Sequence, residues 1–184
     1  MDRREFITAM PMLLAGCGAG TETDMEYELR SSPLRNVTPS ERFEFGNWTP
    51  VLTCASPGDL SVSYSAQLGR WFRIGPLVHM ELRIETSSFT HSTAAGVVQI
   101  TGVPFSSPVL SNNFITDGSL AFNGITKANY TQFTLNMQPV WSGITGLIII
   151  QASGQGQSYT PVLIGDMPSG GAPILRGQLW YFAQ

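Results

Sequence analysis

The side chains best suited to acid–base chemistry in this 184-residue sequence are two histidines and a small set of carboxylates. His79 lies on the polar side of an alternating apolar–polar run, and His91 lies in a Ser/Thr-rich stretch that predicts a loop. A serine hydrolase would place one of them beside an activated nucleophile, but no Gly-x-Ser-x-Gly sequence accompanies either. The pattern favours two exposed histidines over a catalytic pair.

The carboxylates suit a glycan-cleaving enzyme only if two of them face each other across a sugar linkage. Five acids lie in residues 45–184, and no spacing singles out a pair. Asp59, Asp117 and Asp166 each stand in a turn sequence, where aspartate commonly bonds to nearby backbone. The sequence has no metal-ligand cluster and no phosphate-binding loop. We therefore expect no catalytic residues, metal or cofactor, and we keep a glycan-cleaving enzyme as an alternative.

Aromatic rings offer a different chemistry, because sugar rings stack on the flat faces of Trp and Tyr. Trp141 and Tyr159 stand beside glycine-rich stretches and are our candidate ligand-binding residues. In the competing interpretation the tryptophans belong to the core or to a subunit interface, and this applies to Trp48, Trp71, Trp141 and Trp180.

Short strands must position these side chains. Residues 78–85 alternate strictly, with Val78, Met80, Leu82 and Ile84 on one side. Residues 132–138 repeat the pattern, and residues 146–152 form a continuous apolar run typical of a strand buried on both faces. Further strands are predicted at 96–102, 118–124 and 178–184, and turn sequences separate them. The sequence predicts an all-β fold, a jelly-roll-like antiparallel β-sandwich.

Charge divides the chain into regions. Residues 1–44 carry thirteen charged side chains and residues 45–184 only ten. We predict an extended or partly helical N-terminal arm over 1–30, a linker over 31–44 and the β domain over 45–184. A net charge of -3 gives no basic field for nucleic acid. No apolar run reaches the roughly 18 residues of a membrane span.

The first twenty residues have two interpretations. Arg3 and Arg4 precede an apolar run that ends at Cys17, which resembles an export signal with a lipid-attachment cysteine. An exported bacterial lipoprotein with a β-sandwich binding domain is therefore an alternative, although Pro11 weakens the apolar run and processing would remove Met1. In the second interpretation the arm buries its apolar side chains against a partner protein. The candidate anchoring residues are then Phe6, Ile7, Met10, Leu13 and Leu14. We expect Cys17 and Cys54 to be free thiols.

An ordered series of motifs stands out from the composition. It runs Gly46-Asn-Trp-Thr-Pro-Val-Leu52, then Tyr64-Ser-Ala-Gln-Leu-Gly-Arg-Trp-Phe-Arg-Ile-Gly75, then Val98-Gln-Ile-Thr-Gly-Val-Pro-Phe105. The series resembles a small β domain of the tail fibres, tailspikes and related appendages of tailed bacteriophages, and the match covers residues 46–105. Within this resemblance we expect a hairpin over 64–73 with Gly69 on its turn side, followed by a second turn.

The resemblance implies a structural and ligand-binding protein of the virion exterior, in a tail fibre, a spike or a head fibre. It implies a homotrimer, an N-terminal arm attached to phage capsid or tail proteins, and a β domain that attaches to the host surface or decorates the particle. Host surface glycans are the implied ligands, contacted by loops that we place at 87–95, 106–117 and 152–160.

Overall fold

A computed structural model describes residues 43–107, 117–138 and 146–183. These residues form ten β-strands and one turn of 3-10 helix at Ile164–Asp166. The first five strands are β1 (Phe43–Trp48), β2 (Val51–Ser56), β3 (Ser61–Ile74), β4 (Leu77–Thr90) and β5 (Ala95–Thr101). The other five are β6 (Asp117–Asn123), β7 (Gln132–Gln138), β8 (Leu147–Gly154), β9 (Gln157–Pro161) and β10 (Ile174–Phe182). Within these ranges no helix has the length and apolar character needed to cross a membrane.

The strands form one curled antiparallel sheet. Its order is β1-β3-β4-β10-β6-β7-β8-β5-β2, and β9 pairs with β8. Only Thr49 and Pro50 separate β1 from β2 in the chain, although these strands stand at opposite ends of the path. The sheet must therefore curl until its two ends meet. Side chains join those ends: the Tyr64 hydroxyl accepts from the Leu52 amide at 3.0 Å, and Gln67 Nε2 donates to the Pro50 carbonyl at 3.0 Å.

The core fills the inside of the curl, and the predicted all-β antiparallel fold is confirmed. Val78, Met80, Leu82 and Ile84 of β4 are all buried on this inner side, as their alternation predicts. On β8, Ile149 is buried together with its neighbours on the opposite face, which confirms the prediction of a strand buried on both sides. The inner residues of β4, β5, β7, β8 and β10 belong to one hydrophobic cluster.

The predicted hairpin over residues 64–73 is wrong. β3 runs without a turn from Ser61 to Ile74, and Gly69 lies in its middle, opposite Trp48 of β1. Gly46 of β1 stands in turn opposite Trp71 of β3. A Cβ at either glycine would overlap the facing indole, so the missing side chain makes room for the ring. The two Gly-x-Trp sequences thus correspond to two reciprocal glycine–tryptophan contacts. The second predicted turn is confirmed, and it consists of Gly75 and Pro76.

The predicted loops are shorter in the structure. β4 continues to Thr90, so the loop predicted over 87–95 is reduced to residues 91–94. The stretch 152–160 forms mostly the β8–β9 hairpin, whose turn consists of residues 155 and 156. Most of the stretch 106–117 lies outside the described residues. The segments 87–95 and 152–160 therefore present mainly strand surface rather than long loops.

Asp59 joins two loops instead of bonding only within its own turn. Its carboxylate accepts hydrogen bonds from the amides of Ser92, Thr93 and Ala94, at 2.7–3.2 Å, and from the hydroxyls of Ser92 and Thr93. These bonds favour the ionised form and hold the pKa of Asp59 well below its ordinary value of 3.8. The carboxylate therefore ties the β2–β3 turn to the β4–β5 loop.

This hydrogen bonding makes the stability pH-dependent with a defined sign. Because the folded pKa is depressed, the stabilisation is complete above the unfolded pKa of about 4 and is lost as the pH falls below it. We expect Asp59→Asn to lower the melting temperature at pH 7. The difference in melting temperature between the variant and the native protein should become smaller below about pH 4. Thermal unfolding at a series of pH values measures this difference. A difference of unchanged size down to about pH 2 would contradict the assignment.

Candidate functional site

The outer face of β1, β3, β4 and β10 carries an aromatic patch, defined as Phe43, Phe45, Phe72, Ile74, Trp180 and Phe182. Strand register places these side chains in two rows across the sheet. The first row passes through Phe43, Ile74, Leu77 and Phe182, and the second through Phe45, Phe72, His79 and Trp180. Phe45 is 77% exposed, Phe43 61% and Phe182 55%. Large apolar side chains in water at this density mark an interaction surface.

Ring contacts connect the patch from its edge to its centre. Phe43 lies 5.7 Å from Phe72, and Phe72 lies 5.2 Å from Trp180, between ring centroids. His79 packs between Phe72 at 4.8 Å and Trp180 at 4.2 Å and is only 5% exposed. The expectation of an exposed His79 is therefore wrong, because the neighbouring rings cover it. Its Nε2 lies 3.3 Å from Gln178 Oε1.

A cleft of about 520 Å³ opens on the β1 side of the patch. Phe43, Phe45, Phe72 and His79 form its aromatic wall. Its polar border consists of Asn47, Arg70 and Glu81. Asn47, Arg70 and Glu81 are consecutive in the cross-strand register, so the border is itself a row of the sheet. The cleft offers flat apolar rings next to hydrogen-bonding groups, which is the composition of a binding site rather than of an acid–base pair.

The next rows of the same face are charged. Arg83 of β4 stands directly opposite Arg176 of β10, and Glu85 accepts hydrogen bonds from both. The two guanidinium groups lower the pKa of Glu85 to about 2. The carboxylate thus stays ionised near neutral pH and holds two like charges side by side.

The sequence-predicted site residues fall in different places. Tyr159 is 46% exposed on β9, away from the aromatic patch, and Trp141 lies outside the described residues. The anchoring residues Phe6, Ile7, Met10, Leu13 and Leu14 also lie outside them, as does Cys17. Cys54 is a buried free thiol, as expected.

Two further residues weighed for chemistry, His91 and Asp166, make hydrogen bonds between loops. His91 is half-buried, with Nε2 at 2.9 Å from the Met167 carbonyl oxygen, so the expectation of an exposed side chain is wrong. Asp166 accepts from Lys127 Nζ at 2.8 Å and from the Leu163 amide at 2.8 Å, which ties the β6–β7 loop to the 3-10 turn. In the three described ranges, no group of three or more His, Cys, Asp or Glu side chains is placed to hold a metal.

The tryptophans divide between core and surface. Trp48 is buried and its Nε1 donates to the Glu81 carbonyl at 3.1 Å, and Trp71 is partly buried against Phe105. Trp180 is 46% exposed at the centre of the aromatic patch. Sequence reasoning missed this patch because its members come from three strands, and only strand register brings them together. The alternation of Phe43, Phe45 and Asn47 on one side of β1 was the available signal.

No protein-family model matches the sequence, and no curated protein matches it. A solved structure that resembles it is the crystal structure of Dettilon tailspike protein (gp208), with a TM-score of 0.46 and 18% sequence identity over 74% of this chain. The chain spans 23% of the length of that protein.

Proposed function

We propose that the chain is a structural subunit of a bacteriophage virion appendage, a tail fibre, spike or head fibre, that acts by binding rather than by catalysis. Two lines support the proposal. The motif series over residues 46–105 resembles phage appendage domains, and its glycines and tryptophans form specific contacts in the sheet. The observation that carries the proposal is the aromatic patch, which is an interaction surface on a rigid sheet.

Copies of the same chain fit the aromatic patch best. Its five most exposed members, Phe43, Phe45, Ile74, Trp180 and Phe182, leave on the order of 500 Å² of apolar surface in water. This area lies at the upper end of what a monomer exposes, and with a polar rim it approaches the roughly 800 Å² per partner of a stable interface. We propose that the patch forms the contact between subunits of a homotrimer on the virion exterior.

The domain would then serve host-surface attachment or decoration of the particle. An appendage presents many copies at once, so weak binding at each site gives strong attachment overall. Host surface glycans are the proposed ligands, and the polar border of the cleft, Asn47, Arg70 and Glu81, which lies outside the aromatic patch, is a better candidate than Tyr159. The side chains of this border would bond the hydroxyl groups of the sugar.

The N-terminal arm provides the test of the virion role. We expect a variant lacking residues 1–20 to fold and to form trimers but not to join the particle, because Phe6, Ile7, Met10, Leu13 and Leu14 would no longer bury their apolar side chains in the capsid or tail. Phage particles purified after complementation with the full or shortened chain, and probed for it by quantitative mass spectrometry, measure incorporation.

Normal incorporation of the shortened chain would contradict the anchoring role. Intact-mass measurement on the native protein separates the alternative: a chain that begins at a lipid-modified Cys17 would identify an exported lipoprotein instead. Release of reducing ends from a host polysaccharide would identify a glycan-cleaving enzyme.

A further inference from the structure

The charged rows beside the aromatic patch form a shallow trough with its own chemistry. It consists of two adjoining hollows, of about 230 Å³ and about 370 Å³, which share Glu81, Leu82 and Arg83. Arg70 and Leu68 line the β3 end, and Arg176, Gln178 and Ser119 line the end towards β6. Neighbouring strands are about 4.8 Å apart, so the trough crosses four strands over roughly 14 Å.

We propose that this arginine trough binds a carboxylate-bearing saccharide, such as a chain of uronic acids. The inference deepens the proposed function, on which it rests, by naming the class of host glycan and the side chains that select it.

The arrangement of Arg83 and Arg176 is the first argument. Like charges directly opposite each other in a sheet destabilise it, yet these two face each other with about half of each side chain exposed. Glu85, whose side chain is only 17% exposed, bonds to Nε and Nη2 of both and so fixes their orientation. Each guanidinium has five N–H donors. The Nη1 groups of this pair donate to no protein acceptor in the described ranges and remain for an anion.

The neighbouring row supplies the second argument. Arg70 and Glu81 stand opposite each other in the register, but neither side chain has a hydrogen-bond or ion-pair partner among the described residues. Unlike charges this close ordinarily pair. Here a third cation and a free carboxylate both border the trough, next to the amide of Gln178 and the hydroxyl of Ser119.

These groups together match an acidic sugar. The arginines supply planar donors that fit a carboxylate, while Glu81, Gln178 and Ser119 can bond hydroxyl groups. Three arginines and Glu81 line the trough, and with Glu85, which bonds to two of the arginines, these side chains carry a net charge of +1 in a protein whose net charge is -3. The trough and the aromatic patch occupy different rows of the sheet, so sugar binding and subunit contact do not require the same side chains.

The test is calorimetric titration of the full chain with a galacturonic acid trisaccharide, a neutral galactose trisaccharide and tripolyphosphate. We expect binding of the acidic sugar alone. Arg70→Gln and Arg176→Gln should each weaken it about tenfold to a hundredfold, the range for a lost hydrogen bond to a charged group. Arg176→Lys should bind as weakly as Arg176→Gln, since it keeps the charge but not the planar fork.

Gln155→Glu is the matched control. It lowers the net charge by as much as Arg70→Gln, at an exposed position in the β8–β9 turn, and should leave the affinity unchanged. The inference would be overturned if the acidic sugar did not bind, or if the neutral sugar or tripolyphosphate bound as tightly as the acidic sugar. It would also be overturned if Gln155→Glu weakened binding as much as Arg70→Gln. None of these results would alter trimer mass or particle incorporation, so failure here is distinct from failure of the virion role.

Discussion

The double variant Phe45→Ser, Phe182→Ser should be a folded monomer under conditions in which the native chain sediments at three times its 20.0 kDa mass. Both rings lie in the aromatic patch, and they are more than half exposed in the single chain, so their removal costs the fold little. In an assembly they would be buried. Aromatic residues at the centre of an interface commonly contribute about 2 kcal/mol or more each, so we expect association to weaken by about a thousandfold.

Sedimentation equilibrium over a range of concentrations measures this change, and circular dichroism checks that the sheet is retained. The matched control is Tyr159→Ser, Leu163→Ser, which removes two large side chains of similar exposure, 46% and 43%, outside the aromatic patch. The control should associate like the native chain. A native protein that is monomeric, or two double variants that associate equally well, would contradict a subunit contact at this face.

Gly69→Ala should destabilise the domain by roughly 1–3 kcal/mol, the usual cost of overpacking a well-packed core. A Cβ at this position would lie 2.5 Å from Trp48 Cδ1. Trp48 is buried and its Nε1 bonds to the Glu81 carbonyl, so the ring cannot move aside without breaking that bond or shifting β1. Because β1 also carries Phe43 and Phe45, we expect the aromatic patch to be disturbed as well.

Urea unfolding measures the loss, with Gly165→Ala as control. No atom lies within 4 Å of a Cβ built at Gly165, so that substitution should leave the free energy of unfolding nearly unchanged. If Gly69→Ala were as stable as the control, the glycine–tryptophan contact would not be what the motif encodes.

The Gly-x-Trp repeat shows how far a sequence motif can be interpreted. Its residues were visible as a pattern, and the same pattern suggested a hairpin with Gly69 near the turn. A glycine in a strand can mark a turn or a close approach of another ring, and the sequence does not distinguish them. The partner that decides the matter, Trp48, lies on another strand. The antiparallel pairing of β1 with β3 was needed to show that each glycine makes room for the other strand's tryptophan.

By itself, the sequence determined the fold class and the identity of much of the core. Alternation in β4 and β7 and the apolar run in β8 follow from which side chains avoid water, and this is a local property of each strand. Tertiary structure alone decided the candidate sites. The aromatic patch joins Phe45 and Phe72 to Trp180 of β10, and the trough joins Arg70 and Arg83 of the β3–β4 pair to Arg176 of β10, a strand far from the others in the chain. Their proximity depends on strand order and register, which are set by long-range pairing rather than by the neighbours of each residue.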